Sequence, residues 1–241
     1  MSNYGVFAQY YDKLLSNGEY EVRSDYISGF IIDNGINSGK MLDLACGTGE
    51  FTKFFVNKGF DVTGLDLSED MLSIAKSKCP DTHFLRCDMR EFDFKGEFDC
   101  CICCFDSINH LNSAEDWKKC FDSVARSVKS GGMFIFDVNT EYKHNCVLSG
   151  NSFIFDEEDC FLAWDNYGEG DGNVDIFLDF FIYNGKNYDR YSENFSETAF
   201  KSDFIVNMLK DNFQILGIYN DLTKEPENEE SERLYFICKR K

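Results

Sequence analysis

The segment that most constrains the fold is Lys40–Phe51, which reads KMLDLACGTGEF. An apolar run that contains Asp43 leads into a turn with Gly47 and Gly49, and the pattern predicts a helix that begins near Glu50. Because the two glycines have no Cβ, the backbone can bend sharply there and a ligand can lie against it. A strand, a glycine turn and a helix in this order are typical of the first half of a nucleotide-binding βαβ unit.

The turn differs from that of a dinucleotide-binding protein, which needs a third glycine in the first helical turn, where Phe51 and Thr52 stand here. Asp43 ends the strand, where an acid repels a pyrophosphate and suits a cation. The string DLACGTG resembles the first motif of class I S-adenosylmethionine-dependent methyltransferases, with alanine in place of the first glycine of the commonest form. Their cofactor carries an ammonium and a sulfonium and no phosphate. The resemblance implies that this cofactor contacts Asp43, Ala45, Cys46, Gly47 and Gly49.

The charge balance limits the expected partners. Acids outnumber bases 43 to 24, for a formal charge of −19, and there is no basic stripe. Nucleic-acid binding and binding to anionic membranes both need Lys and Arg, so neither partner is expected. With 241 residues, of which 43% are hydrophobic, the sequence predicts a soluble globular protein of one domain, or of one domain with an insertion.

The sequence favours a cytoplasmic protein. No apolar run is long enough to span a bilayer, and residues 1–4 lack the basic and apolar pattern of a secretion signal. The 11 cysteines match no small disulfide scaffold and suit a reducing compartment. We expect a monomer or a homodimer.

A second acid ends the next predicted strand, Phe60–Asp66. A carboxylate at this position can accept hydrogen bonds from both ribose hydroxyls of a nucleotide, although a strand-end acid can also simply face solvent. Ser68 is expected to cap the helix that follows. The run DLSEDML again resembles the methyltransferase family, which implies that Leu67 and Met71 also contact the cofactor.

The third predicted strand, His83–Met89, also carries an acid near its end. In the family the matching acid and its neighbour hold adenine. Asp88 can accept a hydrogen bond from the exocyclic amine, and Met89 can lie against the ring. The alternative is a loop acid that binds Arg90 or caps a helix.

The fourth predicted strand, Phe98–Cys104, is apolar throughout, as a strand covered on both faces should be. Its four cysteines form two overlapping C-x-x-C spacings, which also fit zinc. Neighbouring residues of a strand point to opposite faces, and no second ligand pair follows. We therefore favour small buried side chains and expect no metal.

The segment Phe105–Leu111 follows at the carboxyl edge of the sheet, where α/β folds bind ligands. It resembles the part of the family that contacts the sulfonium side of the cofactor and the substrate, which implies roles for Cys104, Phe105, Asp106 and His110. His110 could accept a proton from the substrate, since the pKa of an imidazole lies near working pH, or it could only hydrogen-bond the cofactor. We favour the second role, because displacement at a sulfonium needs little proton chemistry in its transition state.

Beyond the predicted fifth strand, Met133–Val138, the hydrophobic period changes to two. Aromatic strands are predicted near 153–155, 160–164, 174–181 and 188–191, with a hairpin turn at Asn184-Gly185. The predicted fold is α/β: a doubly wound, Rossmann-like sheet of seven strands, closed by a terminal hairpin, with an inserted antiparallel β cap. Residues 1–150 and 196–241 are the expected core, and 151–195 are the expected cap over the substrate site.

The N-terminal segment Phe7–Leu14 contains the pattern F-A-x-x-Y-D, which resembles the entry segment of small-molecule methyltransferases. There the segment folds over the bound cofactor, and the resemblance implies that Tyr11 touches it. An amphipathic helix packed on the sheet is the alternative.

The layout is similar to that of glycine N-methyltransferase and related small-molecule enzymes. Those that bind glycine have an arginine shortly after the fifth strand, where Asn139 stands here. A cationic or neutral amine is therefore the more plausible acceptor beside so many acids. The expected substrate contacts are Tyr11, Asn139 and Trp164, although Trp164 could instead only fill the small sheet. Tyr142 is, with His110, a candidate catalytic residue.

Three other functions remain open at this point. A dehydrogenase would need the missing third glycine. A non-catalytic regulator would bind S-adenosylmethionine without turnover, and a protein methyltransferase would label polypeptides. The N/D-P-P-Y/F motif of amino-methylating nucleic-acid enzymes is absent, which agrees with the charge balance.

Overall fold

A computed structural model describes residues 4–15 and 19–241, and it describes only the backbone of residues 4–7 and 15. Residues 1–3, part of the segment in which no secretion signal is predicted, and the side chain of Phe7 lie outside that description. In the described part of the chain, no helix is both long enough and apolar enough to cross a membrane.

Helices and strands alternate through most of the chain. The α-helices are α1 (Tyr4–Leu15), α2 (Glu19–Asp33), α3 (Glu50–Asn57), α4 (Glu69–Lys78), α5 (Ala114–Ser127) and α6 (Ser202–Leu209). The strands are β1 (Gly39–Leu44), β2 (Phe60–Asp66), β3 (His83–Arg86), β4 (Phe98–Cys103), β5 (Val128–Asn139), β6 (Ser152–Asp156), β7 (Cys160–Tyr167), β8 (Asn173–Tyr183), β9 (Tyr188–Thr198), β10 (Phe213–Asn220) and β11 (Arg233–Arg240). A 3₁₀ helix (Ser107–His110) follows β4, and a π-helix (Lys143–Leu148) follows β5.

Seven strands form one sheet in the order β10-β11-β5-β4-β1-β2-β3. Strands β1 to β5 are parallel to one another, and β11 runs antiparallel between β5 and β10. The predicted seven-stranded sheet with its terminal hairpin is confirmed. The strand order reverses between β1 and β4, which is where sheets of this kind bind ligands beyond the carboxyl ends of the strands.

The sheet is buried on both faces. On one side, Trp117 and Phe121 of α5 pack in a cluster with Phe134 and Phe136 of β5. On the other side, helices α2 and α3 contribute to a second cluster that contains Phe55. This double cover explains why the central strands read as continuous apolar runs.

The cysteines of β4 divide between these two clusters. Cys101 and Cys103 belong to the first, and Cys100 belongs to the second together with Cys104, which follows the strand. All four are buried free thiols, and burial raises the pKa of each of them. They pack as small apolar side chains on alternate faces, which is the arrangement that the sequence favours. No group of three His, Cys, Asp or Glu that could hold a metal occurs among the described residues.

A second, antiparallel sheet contains β6, β7, β8 and β9 in that order and lies between β5 and α6 in the chain. The predicted antiparallel sheet is therefore present. Its last strand continues to Thr198, three residues past the expected boundary of the cap. One of its faces is buried in a third apolar cluster with Leu14 of α1 and Leu148 of the π-helix.

The turn between β8 and β9 forms where it is predicted, but it is longer than a two-residue hairpin turn. Tyr183 pairs with Tyr188, so the turn spans residues 184–187. The side-chain Oδ1 of Asn184 accepts hydrogen bonds from the N–H groups of Lys186 and Asn187. This asparagine stabilises the turn through its side chain, which a two-residue pattern does not require.

Candidate active site

A cleft of about 1040 Å³ lies at the carboxyl ends of the central strands. One end is lined by the glycine turn after β1, the end of β2 and the loop after β3. The other end is lined by residues of the second sheet, including Leu162, Ile176 and Leu178. The four-stranded sheet therefore forms one wall of a cleft whose opposite wall belongs to the main sheet, and it is called the cap below.

The two glycines of the turn have different surroundings. Both have positive φ angles, 53° at Gly47 and 81° at Gly49. A Cβ at Gly47 would meet no other atom within 4 Å, so this side of the turn is open. A Cβ at Gly49 would instead lie 3.0 Å from the Cβ of Ala75 in α4. Gly47 lines the cleft, and Gly49 allows the turn to pack against a helix.

Asp66 presents a fixed carboxylate to the cleft. Its Oδ2 accepts a hydrogen bond from the N–H of Gly47 at 2.8 Å, and its Oδ1 accepts one from the N–H of Ser68 at 2.8 Å. Burial raises the pKa of Asp66, although these N–H groups act in the opposite direction. Ser68 also caps α4 as predicted, by accepting from the N–H of Met71. Each carboxylate oxygen retains capacity to accept a further hydrogen bond from a ligand.

Asp43 lies below the turn rather than in the main cleft. It is buried and accepts a hydrogen bond of 2.5 Å from the hydroxyl of Thr52. Burial raises its pKa to about 7, although the bond from Thr52 acts to lower it. Asp43, Cys46 and Cys104 line a small second cavity of about 30 Å³, which shares Ala45 and other lining residues with the main cleft.

Asp88 and Met89, which are predicted to hold adenine, line the cleft together with Leu67 and Met71, two further predicted cofactor contacts. Strand β3 ends at Arg86, so Asp88 and Met89 lie in the loop after it and not within the predicted strand. The guanidinium of Arg90 binds both carboxylate oxygens of Asp88, and this contact is the main cause of the lowered pKa of Asp88. The ion pair with Arg90 is the alternative that the sequence left open, and it fixes the carboxylate at the cleft.

The turn after β4 is strained. Phe105 and Asp106 have φ angles of 54° and 49°, which residues other than glycine rarely adopt. Their N–H groups donate to the two carboxylate oxygens of Asp137 at 2.8 and 3.0 Å. Arg233 of β11 binds both Asp137 and Asp106. One buried carboxyl group and one buried guanidinium therefore hold a backbone conformation that is costly by itself.

This ion cluster shifts two carboxyl groups in opposite directions. Burial raises the pKa of Asp137 in spite of Arg233 beside it. Burial also acts to raise the pKa of Asp106, but Arg233 and Lys143 outweigh it and hold that pKa well below its usual value. Asp106 is therefore ionised at the edge of the cleft, and Arg233 is neutralised by contact with two carboxyl groups.

The predicted substrate-side residues His110, Asn139 and Trp164 line the cap end of the cleft. Trp164 packs against the rings of Phe153 and Phe155, and its N–H donates to Asn166 Oδ1 at 2.6 Å. Its side chain is therefore both part of the apolar packing of the cap and a wall of the cleft. Tyr142 is not among the residues that line the cleft, so its predicted catalytic role has no geometric support.

Helix α1 connects the core to the cap across the cleft. Tyr11 and Leu14 of this helix line the cleft. Asp12 accepts hydrogen bonds from Thr48 in the glycine turn and from Lys78 in α4, both at 2.5 Å. On the cap side, Lys13 forms an ion pair with Asp159. This placement agrees with a segment that covers the cleft, and α1 does not lie flat on the main sheet.

Residues 41–132 match the family described as a methyltransferase domain. The protein YqeM of Bacillus subtilis (strain 168), named provisionally as a methyltransferase, is 37% identical over 239 residues, 97% of this chain and 95% of YqeM. A crystal structure of an S-adenosylmethionine-dependent methyltransferase from Clostridium acetobutylicum ATCC 824 is 33% identical and superposes with a TM-score of 0.90 over 98% of each chain. The chain belongs to the class I S-adenosylmethionine-dependent methyltransferases.

A more distant relative is named for its activity. The dTDP-3-amino-3,4,6-trideoxy-alpha-D-glucopyranose N,N-dimethyltransferase of Streptomyces venezuelae is 29% identical over 119 residues, which are 49% of this methyltransferase and 50% of that enzyme.

The residues of the methyltransferase fit S-adenosylmethionine. The open side of Gly47 leaves room for a ligand against the backbone, and a side chain there would occupy that space. Asp66 offers two oriented acceptors to ribose hydroxyls. Asp43 supplies a buried carboxyl group beside the turn, where the positive charge of an ammonium would favour its ionised form.

Sequence reasoning missed several residues that shape the methyltransferase site. Lys143 and Glu197 line the cap end of the cleft, and Arg233 and Asp137 hold the turn after β4. Asp137 carried a signal, because it is a lone acid in a buried strand beside the predicted site. Arg233 and Glu197 carried none, because they come from distant strands that only the folded chain brings to the cleft.

Proposed function

We propose that the protein transfers a methyl group from S-adenosylmethionine to a small-molecule acceptor. The observation that carries this proposal is a continuous cleft, which has most of the expected cofactor residues at one end and side chains of the cap at the other. A cap that covers the acceptor end favours a small ligand over a polypeptide. The Streptomyces venezuelae relative, which is named for an amino sugar, supports the same class of acceptor.

In this proposal the core holds the cofactor. Asp66 accepts hydrogen bonds from the ribose hydroxyls, and Gly47 leaves room for the ligand against the turn. Asp88, fixed by Arg90, accepts from the amine of adenine, while Met89 lies against the ring. Tyr11 closes over the cofactor from α1.

When bound, S-adenosylmethionine would supply a methyl carbon already activated for attack by its sulfonium, with the neutral thioether as the leaving group. The chain must then align the acceptor and exclude water. The apolar wall of the cap provides the exclusion. His110 contacts Phe195 of the cap, with ring centroids 4.9 Å apart, and we place it as a contact residue that could assist by accepting a proton.

The test is calorimetric binding of S-adenosylhomocysteine to the wild type, Asp66→Ala and the control Asp61→Ala. Asp61 is exposed on the same strand. Asp66→Ala removes the charged acceptor of the ribose hydroxyls, so this variant should bind S-adenosylhomocysteine about 10- to 100-fold more weakly than the wild type. The control Asp61→Ala should bind it normally. Equal affinity of the wild type and Asp66→Ala would refute the ribose assignment.

A further inference from the structure

Most charged side chains at the cleft have a partner of opposite charge. Arg90 pairs with Asp88 and Asp116, and Arg233 pairs with Asp106. Lys143 is different: among the described residues, no carboxylate oxygen lies within 4 Å of its Nζ. Its hydrogen-bond partner is the neutral Oδ1 of Asn139, at 2.9 Å. The carboxylates of Asp106, Glu197 and Glu232 attract this cation only from beyond 4 Å, so it lacks the direct pairing that desolvated charges normally receive.

Glu197 is the anionic counterpart of Lys143. It is buried on β9 of the cap, and in the described chain no Lys or Arg nitrogen lies within 4 Å of its carboxylate. Its Oε2 accepts from the Nδ2 of Asn139 at 3.2 Å and lies 3.3 Å from Nε2 of His144. Its Oε1 is 3.8 Å from Nε2 of His110, too far for a hydrogen bond.

The side-chain amide of Asn139 separates these two charges. Its oxygen binds Lys143 and its nitrogen binds Glu197, so the fold holds a cation and an anion at opposite ends of one amide. Asn139 is itself fixed, because its N–H and C=O are both bonded to the side chain of buried Asn109. The spacing is therefore set by buried groups rather than by mobile side chains.

Four residues of this arrangement line the cleft: His110, Asn139, Lys143 and Glu197. Burial, followed by repulsion from Arg233, lowers the pKa of Lys143, although Asp106 and Glu197 act to raise it. A direct ion pair between Lys143 and Glu197 would relieve both charges, yet the structure keeps them apart. Each charge is thus available to a separate group of one ligand.

We infer that Lys143 and Glu197 recognise an acceptor that is itself dipolar, with an anionic oxygen group bound by Lys143 and a neighbouring amine bound by Glu197. This inference rests on the proposed function, because it names the acceptor class of that same site. It adds an anionic group to the cationic or neutral amine that the sequence favours.

The acceptor class is tested with deuteriomethyl-labelled S-adenosylmethionine and a small-molecule metabolite extract, with products identified by mass spectrometry. Fragmentation of a dipolar product should show a methylated amine together with an anionic oxygen group. Sensitivity to phosphatase identifies a phosphate monoester, and conversion to an ester by acidic methanol identifies a carboxylate. Either result supports the inference, whereas a labelled product that lacks the amine or the anionic oxygen group overturns it and leaves the proposed function standing.

Variants separate acceptor recognition from folding and from cofactor binding. With the acceptor found, Lys143→Met should raise its KM about 10- to 100-fold, Lys143→Arg should recover part of the loss, and Glu197→Gln should raise KM similarly. Affinity for S-adenosylhomocysteine should stay within about threefold of the wild type in each. The control Lys224→Met removes an exposed lysine outside the cleft.

Two results would contradict the assignment. Weaker S-adenosylhomocysteine binding by Lys143→Met, with an unchanged KM for the acceptor, would make Lys143 a cofactor contact. Normal S-adenosylhomocysteine binding by the wild type without any labelled product would instead count against the proposed function itself, and the acceptor inference would fall with it.

Discussion

At the scale of single residues, the two glycines of the turn need to be glycine for different reasons. Gly49→Ala places a Cβ 3.0 Å from Ala75 at a φ of 81°, so it should destabilise the fold by about 2–4 kcal/mol. Gly47→Ala meets no neighbour and should cost only about 1–2 kcal/mol for its positive φ. Because Gly47 faces the cleft, its variant should lose more affinity for S-adenosylhomocysteine than the Gly49 variant does.

Urea unfolding and calorimetry on both variants measure the two effects separately. Equal losses of stability in the two variants would show that the packing against Ala75 has no special cost.

Asp43 gives stability a dependence on pH. Its pKa of about 7 in the fold lies above the ordinary value of 3.8, so the folded protein keeps a proton that the unfolded chain releases at lower pH. The stabilisation that this proton gives to the folded state is complete below about pH 4 and is lost as pH rises through about 7. The free energy of unfolding of the wild type relative to Asp43→Asn should therefore fall by about 2–3 kcal/mol from pH 5 to pH 8.

Urea unfolding of both proteins at the two pH values checks this. Asp106, whose pKa is lowered, contributes in the opposite sense, but only where the pH falls towards that lowered pKa. A difference between wild type and Asp43→Asn that does not change with pH would mean that Asp43 is ionised in the fold.

At the scale of elements, the prediction that α1 covers the cleft can be separated from a purely structural role. Asp12 ties α1 to the core through Thr48 and Lys78. Asp12→Ala should raise the dissociation constant of S-adenosylhomocysteine about 5- to 30-fold, by loss of two charge-assisted hydrogen bonds. Hydrogen exchange in α1 should become faster, while exchange in the central strands stays unchanged.

The matched control is Asp25→Ala, which removes an exposed ion pair with Lys58 on the outer face of α2. If Asp12→Ala speeds exchange in α1 but leaves ligand affinity intact, the helix packs on the protein without covering its ligand.

The elements that could be predicted are those with local signals. Strands β1 to β5 could be predicted because each contains a short apolar run that has a glycine, a capping residue or an acid beside it. The π-helix, Lys143–Leu148, could not be found in this way, because its support is distant: the buried His144 ring binds the carbonyl of Gly172 in the cap. The position of Glu197 at the cleft could not be predicted for the same reason. The alternation of side chains along a strand assigns a residue to one face of the sheet, but it does not identify the neighbour of that residue across the cleft.

At the scale of the whole molecule, the core and the cap meet at Asn109. Its side chain lies on the 3₁₀ helix, is fully buried, and donates to the carbonyls of Asn139 in β5 and Thr198 in β9 at 3.1 and 3.0 Å. It also accepts from the N–H of Asn139. One amide thus joins the last strand of the parallel core to the last strand of the cap, and it supports the residue that separates Lys143 from Glu197.

The chain carries one tryptophan in each part, which makes this coupling measurable. Trp117 is buried in the core and Trp164 lies in the cap, and there are 2 tryptophans in all. In Trp117→Phe the remaining fluorescence reports on the cap, and in Trp164→Phe it reports on the core. The core and the cap should unfold as one cooperative unit. The two fluorescence signals should therefore have the same urea midpoint, once the effect of each tryptophan substitution on stability has been subtracted.

Asn109→Ala, added to each single-tryptophan protein, should separate the urea midpoints of the two signals. The substitution leaves buried backbone groups without partners and should cost about 2–5 kcal/mol. Most of that cost falls on the junction, so the Trp164 signal should change at lower urea than the Trp117 signal. Coincident transitions in the Asn109→Ala proteins would contradict this, because they would mean that the apolar contacts of Leu14 and Leu148 couple the cap to the core without the amide.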